Sequence, residues 1–286
     1  MRITALHLHP IKGCHRVEVD RAVAGPYGFR GDREWQIVPT SGEPGFLTQR
    51  QHPGLACIRP GLAEGGVVLR ADGMDDLFVA SPPEATIPTA HYSGESLAGD
   101  GGDDAAAWLE AVIGEPVRLL GIAPGYERDF YGVFRTQSAL GDLAPILVAN
   151  DASHAFLAER AIERFGIERW RANVWIDGAA PWAEDTWRVL QIGGATLTLA
   201  FPWPRCAVPQ VDQEDGSRHR EPALVLKQHR WCPPLPDESK LVQMMLPGNA
   251  LFGMSGAVEP DGASIAVGDE VAVVETGPSL LSPSAG

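Results

Sequence analysis

Short apolar segments separated by glycine and proline run through most of the chain, and this pattern limits the fold more than any other feature. The 286 residues include 32 glycines and 24 prolines, with no strict period between them. Helices tolerate few such interruptions, whereas the turns between strands use them. The pattern therefore predicts a mostly β (α+β) fold of many short strands with a few short helices, built as β-barrels.

Alternating apolar and polar residues, followed by turn residues, predict individual strands. The clearest hairpin joins Trp187–Ile192 to Thr196–Leu199 across Gly193 and Gly194, since alternation on both sides of a glycine turn is typical of paired strands. Further strands are predicted at residues 2–9, Trp35–Val38 paired with Phe46–Thr48 across Ser41–Gly45, Val67–Leu69 paired with Leu77–Val79, Ile146–Val148, Asn173–Ile176, and a final hairpin around Asp261–Gly262 and Gly268–Asp269.

Two helices are predicted from capping residues and apolar spacing. The first runs through Ala105–Leu109 and is capped by Asp103 or Asp104, because short acidic side chains accept hydrogen bonds from the first free amides of a helix. The second is capped by Asp151 or Ser153. It carries apolar residues at helical spacing up to Gly166, namely Phe156, Leu157, Ala161, Ile162 and Phe165.

Composition and charge restrict the class of protein. Hydrophobic residues make up 44% of the chain, enough for a sizeable core. The net charge of −14 argues against a general nucleic-acid binder and against an electrostatic membrane anchor. Without a membrane span or a signal-peptide pattern, the expected location is cytoplasmic. The length predicts two lobes, at 1–125 and 126–276, followed by a disordered tail at 277–286.

Four cysteines are spaced too widely for paired metal ligation, and no secretory context supports disulfides. Cys14 is predicted to be a core residue. Cys206 lies in the segment Phe201–Pro209, where three prolines stiffen the backbone and Arg205 precedes the thiol. A neighbouring cation favours a reactive, metal-ligating thiolate, so Cys206 suits a nucleophile or a soft-metal ligand. The alternative is a buried, inert cysteine.

Basic residues cluster in sequence on both sides of Cys206, although the whole chain is acidic. The two clusters are Arg160, Arg164, Arg169 and Arg171, and Arg218, Arg220, Lys227 and Arg230; the N-terminal lobe adds Lys12, Arg30 and Arg33. Local positive charge suits a phosphate-bearing ligand, which arginine can bind in a bidentate manner. The alternative is an ordinary solvated surface with paired charges.

Several ordered motifs resemble those of MOSC proteins, relatives of the C-terminal domain of molybdenum cofactor sulfurase. In the first half they resemble the N-terminal β-barrel of that family: His9–Cys14, Tyr27–Gly28, Gly31–Trp35 and Phe46–Pro53. In the second half they resemble the MOSC domain itself: Arg171–Val174, Trp182–Trp187, Arg205–Cys206, Val211–Asp212, Glu221–Pro222 and Leu251–Gly253. Together these motifs cover nearly the whole chain.

The resemblance implies a protein that binds molybdenum cofactor (molybdopterin), with the Cys206 thiolate as a ligand of the metal. Lys12 and Arg33 would hold the phosphate or the pterin, Arg171 and Asn173 would line the same pocket, and Asp142 would lie near the pterin. Arg205 would flank the metal ligand. The resemblance also implies pyridoxal phosphate binding.

Four positions depart from the family pattern. Gly13 and Leu143 each stand where a serine is usual, Ala172 stands where a proline is usual, and Pro204 replaces a small polar residue. The first two changes remove hydroxyl donors, and they affect the details of pterin contact more than binding itself.

Three functions are open at this point. The first is a molybdenum-cofactor oxidoreductase that reduces N-hydroxylated compounds such as amidoximes and hydroxylamines. It would take its electrons from a separate ferredoxin-, flavin- or cytochrome-type protein, because the cysteines here do not form an iron–sulfur site. The second is a persulfide sulfur carrier that uses Cys206, and the third is a passive module that binds or stores the cofactor.

Overall fold

The computed structural model describes residues 1–41, 45–91, 94–128 and 137–281. In the first half of the chain the strands are Arg2–Leu8 (β1), Val17–Glu18 (β2), Arg21–Gly25 (β3), Gly28–Phe29 (β4), Trp35–Pro39 (β5), Gly61–Ala63 (β6), Gly66–Leu69 (β7), Leu77–Ala80 (β8), Ile87–His91 (β9), Gly94–Asp100 (β10) and Val117–Gly121 (β11). In the second half they are Ile146–Asn150 (β12), Val174–Asp177 (β13), Trp187–Ile192 (β14), Ala195–Pro204 (β15), Leu251–Glu259 (β16), Ser264–Ala266 (β17) and Ala272–Thr276 (β18).

The helices are short and lie between the strands. The α-helices are Asp103–Ile113 (α1), Asp151–Ala158 (α2), Ala223–His229 (α3) and Lys240–Met245 (α4). The 3-10 helices are Pro53–Cys57, Ile167–Trp170, Ala183–Thr186 and Val208–Gln210. The described residues therefore form the mostly β fold with short helices that the sequence predicts. None of the helices in these ranges is long and apolar enough to cross a membrane.

The described strands form one large sheet and three small ones. The large sheet has the order β18-β14-β15-β16-β12-β13-β1-β2. The small sheets have the orders β5-β11-β10-β9, β17-β3-β4 and β6-β7-β8. The large sheet therefore combines strands from both ends of the sequence, and long-range pairing determines its shape.

The first strand of the chain belongs to the sheet of the second half. β1 pairs antiparallel with β13, with Arg2 opposite Asp177 and Leu6 opposite Val174. β3 likewise pairs with β17, close to the C-terminus. Apolar side chains of β1 explain this placement, since Ile3, Leu6 and Leu8 are buried in the same core as β13 and β16. The division of the chain at residue 125 stays a prediction.

A second core lies in the N-terminal half, among β5, β11, α1 and the chain between them. Trp35, Ile37, Trp108 and Leu109 are among its buried members. Cys14 is fully buried in this core, which confirms its prediction as a core residue. Burial raises the pKa of the Cys14 thiol to about 12.

Two predicted hairpins are confirmed and two are wrong. β14 pairs with β15, and β7 pairs with β8. Phe46–Thr48 is not a strand, although Leu47 donates one backbone hydrogen bond to Ile37 at 2.8 Å; residues 42–44 of the predicted turn lie outside the described residues. The final hairpin is wrong because β17 pairs with β3 and β18 with β14. In both cases a strand distant in sequence pairs with the predicted hairpin arm.

Both predicted helices exist, but their ends differ from the prediction. Gly102 is the N-cap of α1, so Asp103 and Asp104 lie within its first turn. The side chain of Asn150 caps α2 by accepting a hydrogen bond from the amide of Ala152. α2 ends at Ala158 and not near Gly166. Beyond it, the Ile162 amide donates to the carboxylate of Glu221 at 3.2 Å, a tertiary contact that replaces further helix.

The predicted tail begins with ordered contacts. Gly277 donates a backbone hydrogen bond to Thr186 at 2.8 Å. Leu281 is buried beside Phe201 and Leu246. Residues 277–281 therefore differ from the predicted disorder because an apolar side chain anchors them, and residues 282–286 lie outside the described residues.

Candidate functional site

Cys206 follows the end of β15, and its side chain is exposed, whereas Cys57 is half-buried and Cys14 and Cys232 are buried. The backbone on either side of it is tied down. Arg205 donates its amide to Ala250 at 2.9 Å, and the 3-10 helix Val208–Gln210 follows at once. An exposed thiol on a restrained segment is available to a ligand, so the alternative of a buried inert cysteine is wrong.

Arg169 holds the segment that follows Cys206. Its guanidinium donates to the carbonyls of Pro209 at 2.9 Å and Gln210 at 3.2 Å, and it pairs with Asp212 at 2.8 Å. The side chain of Arg169 is only 2% exposed. All these contacts are to protein groups, so Arg169 is a positioning residue for the cysteine segment.

Arg205 lies between Cys206 and the interior. One of its Nη atoms donates to the carbonyl of Trp170 at 2.7 Å. Its buried Nε has no hydrogen-bond partner among the described residues. Burial lowers the pKa of Arg205 to about 10, with the charges of Cys206, Arg33 and Asp142 also acting on it. A buried cation with a free donor is costly in the protein alone, and an anionic ligand would offset that cost.

Arg33 extends from the turn before β5 into the same region. It contacts the carboxylate of Asp32 and donates to the Asn173 side-chain oxygen and to the Arg171 carbonyl, both at 3.1 Å. Its φ of 53° lies in the left-handed region, which is uncommon for a residue with a side chain and is often associated with functional sites. Gly141 allows the neighbouring loop to approach, because a Cβ there would lie 2.7 Å from the Ser138 hydroxyl.

Lys12 follows β1 and pairs with Asp142 at 2.9 Å, with its ammonium 3.5 Å from the centre of the Phe46 ring. Burial lowers the pKa of Lys12, and the charge of Asp142 opposes that shift. Burial alone would raise the pKa of Asp142, but the charges of Lys12 and Arg33 hold it below the ordinary value. Lys12 therefore favours the ionised form of the Asp142 carboxyl group, whose side chain is half exposed.

Arg171 connects the site to the N-terminal core. It donates to the Cys14 carbonyl at 2.7 Å and to the Gln213 side chain at 3.0 Å, and Gln213 exchanges hydrogen bonds with Gln49. Burial, followed by the charge of Arg33, lowers the pKa of Arg171 to about 9. Like Arg33, Arg171 has a left-handed backbone, with a φ of 54°.

Asn173 joins several elements and has little capacity left for a ligand. Its side-chain oxygen accepts from the Leu147 amide and from Arg33, each at 3.1 Å, and its nitrogen donates to the His7 carbonyl at 3.0 Å. It is 1% exposed. These contacts make Asn173 a residue that positions Arg33, and its place in the lining of the cofactor pocket stays a prediction.

The structure thus brings together the residues that the resemblance selected. We use the name cation cluster for Lys12, Arg33, Arg128, Arg171 and Arg205. Two carboxylates, Asp32 and Asp142, are among the groups that act on these cations. Positive charge therefore exceeds negative charge locally, although the chain carries −14 overall. This excess, the free Nε of Arg205 and the exposed thiol fit an anionic, metal-bearing ligand such as a phosphorylated pterin.

Most of the basic residues counted along the sequence lie elsewhere. Arg30 pairs with Asp261 at 2.6 Å, and Arg230 pairs with Asp185 at 2.8 Å. Arg160 and Arg164 are exposed, and Arg218 donates to the Gln49 carbonyl at 3.3 Å. Three members of the two sequence clusters do lie at the site. Arg169 contacts the cysteine segment, Arg171 belongs to the cation cluster, and Lys227 lies at the adjoining pocket. Proximity in sequence was therefore a weak guide to the site.

One departure from the family pattern has a local explanation. Gly13 has a φ of 85°, which favours glycine, and its carbonyl accepts a hydrogen bond from Gln49 at 2.7 Å. The serine that usually occupies this position would be strained in this conformation. Ala172 is fully buried between Arg171 and Asn173.

Several residues of the site were missed or misjudged from the sequence. Arg128 was not singled out, yet it donates to the carbonyls of Ala139 and Gly141 at 2.8 Å and so holds the loop that carries Asp142. An isolated arginine in a long predicted loop carries no recognisable signal. Trp170 gave no signal either, because a tryptophan in an apolar context is typical of any core.

A pocket of about 280 Å³ opens beside Cys206. Trp170 and Arg205 line one part of it, and Lys227 and Trp231 line another. The fold and the site together define a mostly β protein with an exposed cysteine thiol, a cluster of cations and an adjoining pocket for a small molecule.

The chain belongs to the family of MOSC-domain proteins. Residues 1–116 match the MOSC N-terminal beta barrel domain, and residues 135–272 match the MOSC domain. The mitochondrial amidoxime-reducing component 1 of Mus musculus is 32% identical over 284 residues, which cover 94% of this chain and 81% of that protein. The mitochondrial amidoxime reducing component 2 of Bos taurus is 30% identical, with 94% and 82% coverage.

A third relative has a different name. The molybdenum cofactor sulfurase of Danio rerio is 30% identical over 253 residues, which cover 80% of this chain but only 30% of that protein. These relatives associate the family with molybdenum cofactor and with amidoxime reduction. The first two are named as mitochondrial proteins, so the cytoplasmic location of this chain stays a prediction.

Proposed function

We propose that this protein is a molybdenum-cofactor-dependent reductase of N-hydroxylated compounds, with the Cys206 thiolate as a ligand of the metal. The observation that carries the proposal is the position of Cys206. It is the exposed member of the four cysteines and directly follows Arg205 of the cation cluster. Soft thiolate ligands suit metals that cycle between oxidation states in a cofactor. The amidoxime-reducing names of the two relatives support the same reaction class.

The cation cluster would hold the anionic part of the cofactor. Arg205 has a free buried Nε, and the charges of Lys12 and Arg33 both act on the Asp142 carboxylate. Arginine suits bidentate contact with phosphate, and lysine acts as a point charge. Arg171 adds positive charge to the cluster, while Asn173 and Arg169 keep the binding side chains and the cysteine segment in place.

When bound, the cofactor supplies the two-electron chemistry that breaks the N–O bond. The overall reaction consumes two electrons and two protons, converts N–OH to N–H and releases the oxygen as water. The electrons come from a separate donor protein of the ferredoxin, flavin or cytochrome type. The protein orients the substrate in the pocket beside Cys206, and its aromatic wall at Trp170 limits access of water to the reacting atoms.

Molybdenum content and benzamidoxime reduction test the proposal together. Wild type and Cys206→Ser would be purified from a host that makes the cofactor, and metal and pterin would be measured in each. We expect near-equimolar molybdenum and reduction of benzamidoxime with an artificial electron donor in wild type. In Cys206→Ser we expect the folded protein to lose that reduction, because a serine hydroxyl does not replace a soft thiolate ligand.

Cys57→Ser is the matched control, because Cys57 is half-buried and lies outside the cluster. It should keep both metal and activity. Unchanged turnover in Cys206→Ser would overturn the proposal. Bound metal and pterin in wild type, without reduction of any N-hydroxylated compound by any donor, would instead indicate a cofactor-binding or storage module.

A second candidate function is a persulfide carrier that uses Cys206. The exposed thiol and the similarity to a molybdenum cofactor sulfurase favour it. A persulfide form would add one sulfur atom to Cys206 in metal-free protein, supplied by a cysteine desulfurase and passed on to an acceptor. Mass spectrometry of the Cys206 peptide would detect this adduct. No metal and no pterin in wild type, together with the adduct, would replace the reductase proposal with this one.

A further inference from the structure

The pocket beside Cys206 is lined by charge of one sign. Arg205 and Lys227 are the charged residues that line it, and both are cations. No aspartate or glutamate is among the described residues of its lining, although acidic residues outnumber basic ones by 37 to 23 in the chain. A lining of this kind attracts anions, accepts neutral molecules and repels cations.

Lys227 is available to a ligand. It lies in α3, is exposed, and has its ammonium 5.1 Å from the centre of the Trp231 ring. Among the described residues it makes no ion pair with a carboxylate. The cation–π contact keeps the charge at the pocket without neutralising it.

Trp231 adds an apolar surface at the same place. Its side chain is 48% exposed, which is unusual for so large an apolar group. Leu226 and Ala223 of α3 continue this apolar wall. A flat ring placed against the wall would bury apolar surface, and a negative group at its far end would reach Lys227.

We propose that Lys227 and Trp231 determine the specificity of this pocket: it takes flat N-hydroxylated compounds that are neutral or negatively charged, and it discriminates against cationic ones. The inference rests on the proposed reductase function and names the substrate class of the same site. It also has a consequence for the product. Reduction of a neutral amidoxime yields an amidine, which is protonated at neutral pH, so the two cations of the pocket oppose its binding and favour its release.

Three benzamidoximes that differ in charge test the proposal. They are benzamidoxime, its 4-carboxylate and its 4-trimethylammonium derivative, assayed with metal-loaded enzyme and an artificial donor. In wild type we expect kcat/KM to be about tenfold higher for the carboxylate than for the cationic derivative, a size typical of one partly exposed charge on each side. Salt at 0.5 M should reduce this ratio.

Two substitutions of Lys227 isolate its charge. Lys227→Gln should reduce the ratio to about twofold, with Arg205 as the remaining cation, and Lys227→Glu should invert it. Lys227→Glu should also strengthen inhibition by benzamidine about fivefold. Lys240→Gln is the matched control, since it removes one positive charge from α4, which does not line the pocket. An unchanged ratio in Lys227→Gln would overturn the proposal.

Trp231→Leu tests the apolar wall separately. It should raise KM about fivefold for all three compounds, because the ring contact is lost, and it should also reduce the charge ratio, because the cation–π contact that keeps Lys227 at the pocket is lost. A change in the charge order with no rise in KM would contradict the role of Trp231.

Binding of compounds that are not reduced separates this inference from the proposed function. Calorimetric titration with 4-carboxybenzamide and benzamide should show tighter binding of the carboxylate in wild type, and no such preference in Lys227→Gln. If no benzamidoxime is reduced by metal-loaded wild type, the reductase function fails, while this titration still decides the role of Lys227. Equal binding of the two amides by wild type would overturn that role.

Discussion

Two regions of this protein bury several charged side chains, and they differ in how those charges are balanced. In the cation cluster, Arg171 is buried and Arg205 is half-buried beside further cations, and both have a lowered pKa. The second region is the Glu184 network, which we define as Asn150, Glu184, Asp185 and Arg230. There Arg230 pairs with Asp185 at 2.8 Å, and Asn150 donates to Glu184 at 2.9 Å.

Buried charge alone therefore does not identify a binding site. Both sets contain buried side chains, and both include residues from motifs that resemble those of MOSC proteins. Only the cation cluster combines an excess of one charge with a free donor and an exposed thiol. In the Glu184 network the side chain of Arg230 is 5% exposed and that of Asp185 is 4% exposed, and these two charges pair with each other, while burial raises the pKa of the second carboxyl, Glu184, to about 7. A local excess of one charge beside an opening indicates a ligand site, whereas paired opposite charges indicate a structural role.

The largest loss of stability is expected when Arg230 of the Glu184 network loses its carboxylate partner. Asp185→Ala leaves the Arg230 guanidinium buried without its carboxylate, so the free energy of unfolding should fall by about 3–5 kcal/mol. Urea denaturation of wild type and variant measures this loss. The matched control is Glu159→Ala, which removes an exposed partner of Arg160 at 3.6 Å and should cost less than about 1 kcal/mol. Similar losses in the two variants would contradict the assignment.

The titration of Glu184 should make the stability of the same network depend on pH. Burial, followed by the charge of Asp185, raises the pKa of Glu184 to about 7 from an unperturbed 4.5. The folded protein therefore holds a proton that the unfolded chain releases, so this group's contribution falls as pH rises from about 4.5 to 7. The total fall is about 3 kcal/mol, at 1.36 kcal/mol per pKa unit.

Glu184→Gln should remove this dependence, because the amide does not titrate. Relative to wild type, the variant should gain stability between pH 5 and pH 8 by up to about 3 kcal/mol. Urea denaturation at both pH values measures the difference. A constant difference between the two proteins at pH 5 and pH 8 would show that Glu184 does not change its protonation state on unfolding in that range.

Changing a residue of the cation cluster should have the smallest effect on stability. Arg205→Met removes one cation of an excess and one hydrogen bond to Trp170, so stability of the cofactor-free protein should change by only about 1 kcal/mol. Its affinity for inorganic phosphate should fall about tenfold, measured as the loss of the phosphate-dependent rise in Tm. Arg164→Gln, which changes an exposed arginine away from the cluster, should keep that rise. Equal phosphate effects in both variants would refute an anion site at Arg205.

Much of the local structure was predictable from the sequence. The hairpin of β14 and β15, the pairing of β7 with β8 and the strand β1 follow from short-range alternation and turn residues. Resemblance to a family selected the residues of the site, and the structure brings them together. Charge clusters along the chain were less informative, because Arg30 and Arg230 are paired elsewhere.

Alternation, turn residues and proline act within a few positions, so the sequence predicts strands such as β1, β7, β14 and β15 and the position of the stiffened cysteine, whereas the strand predicted at Phe46–Thr48 does not form. The pairing of strands distant in sequence and the meeting of the cations follow from the tertiary structure. β1 joins β13, and Arg33 meets Arg171 across 138 positions of sequence. These contacts form because folding buries the apolar face of the whole sheet. The free energy gained by that burial depends on all the strands of the sheet together.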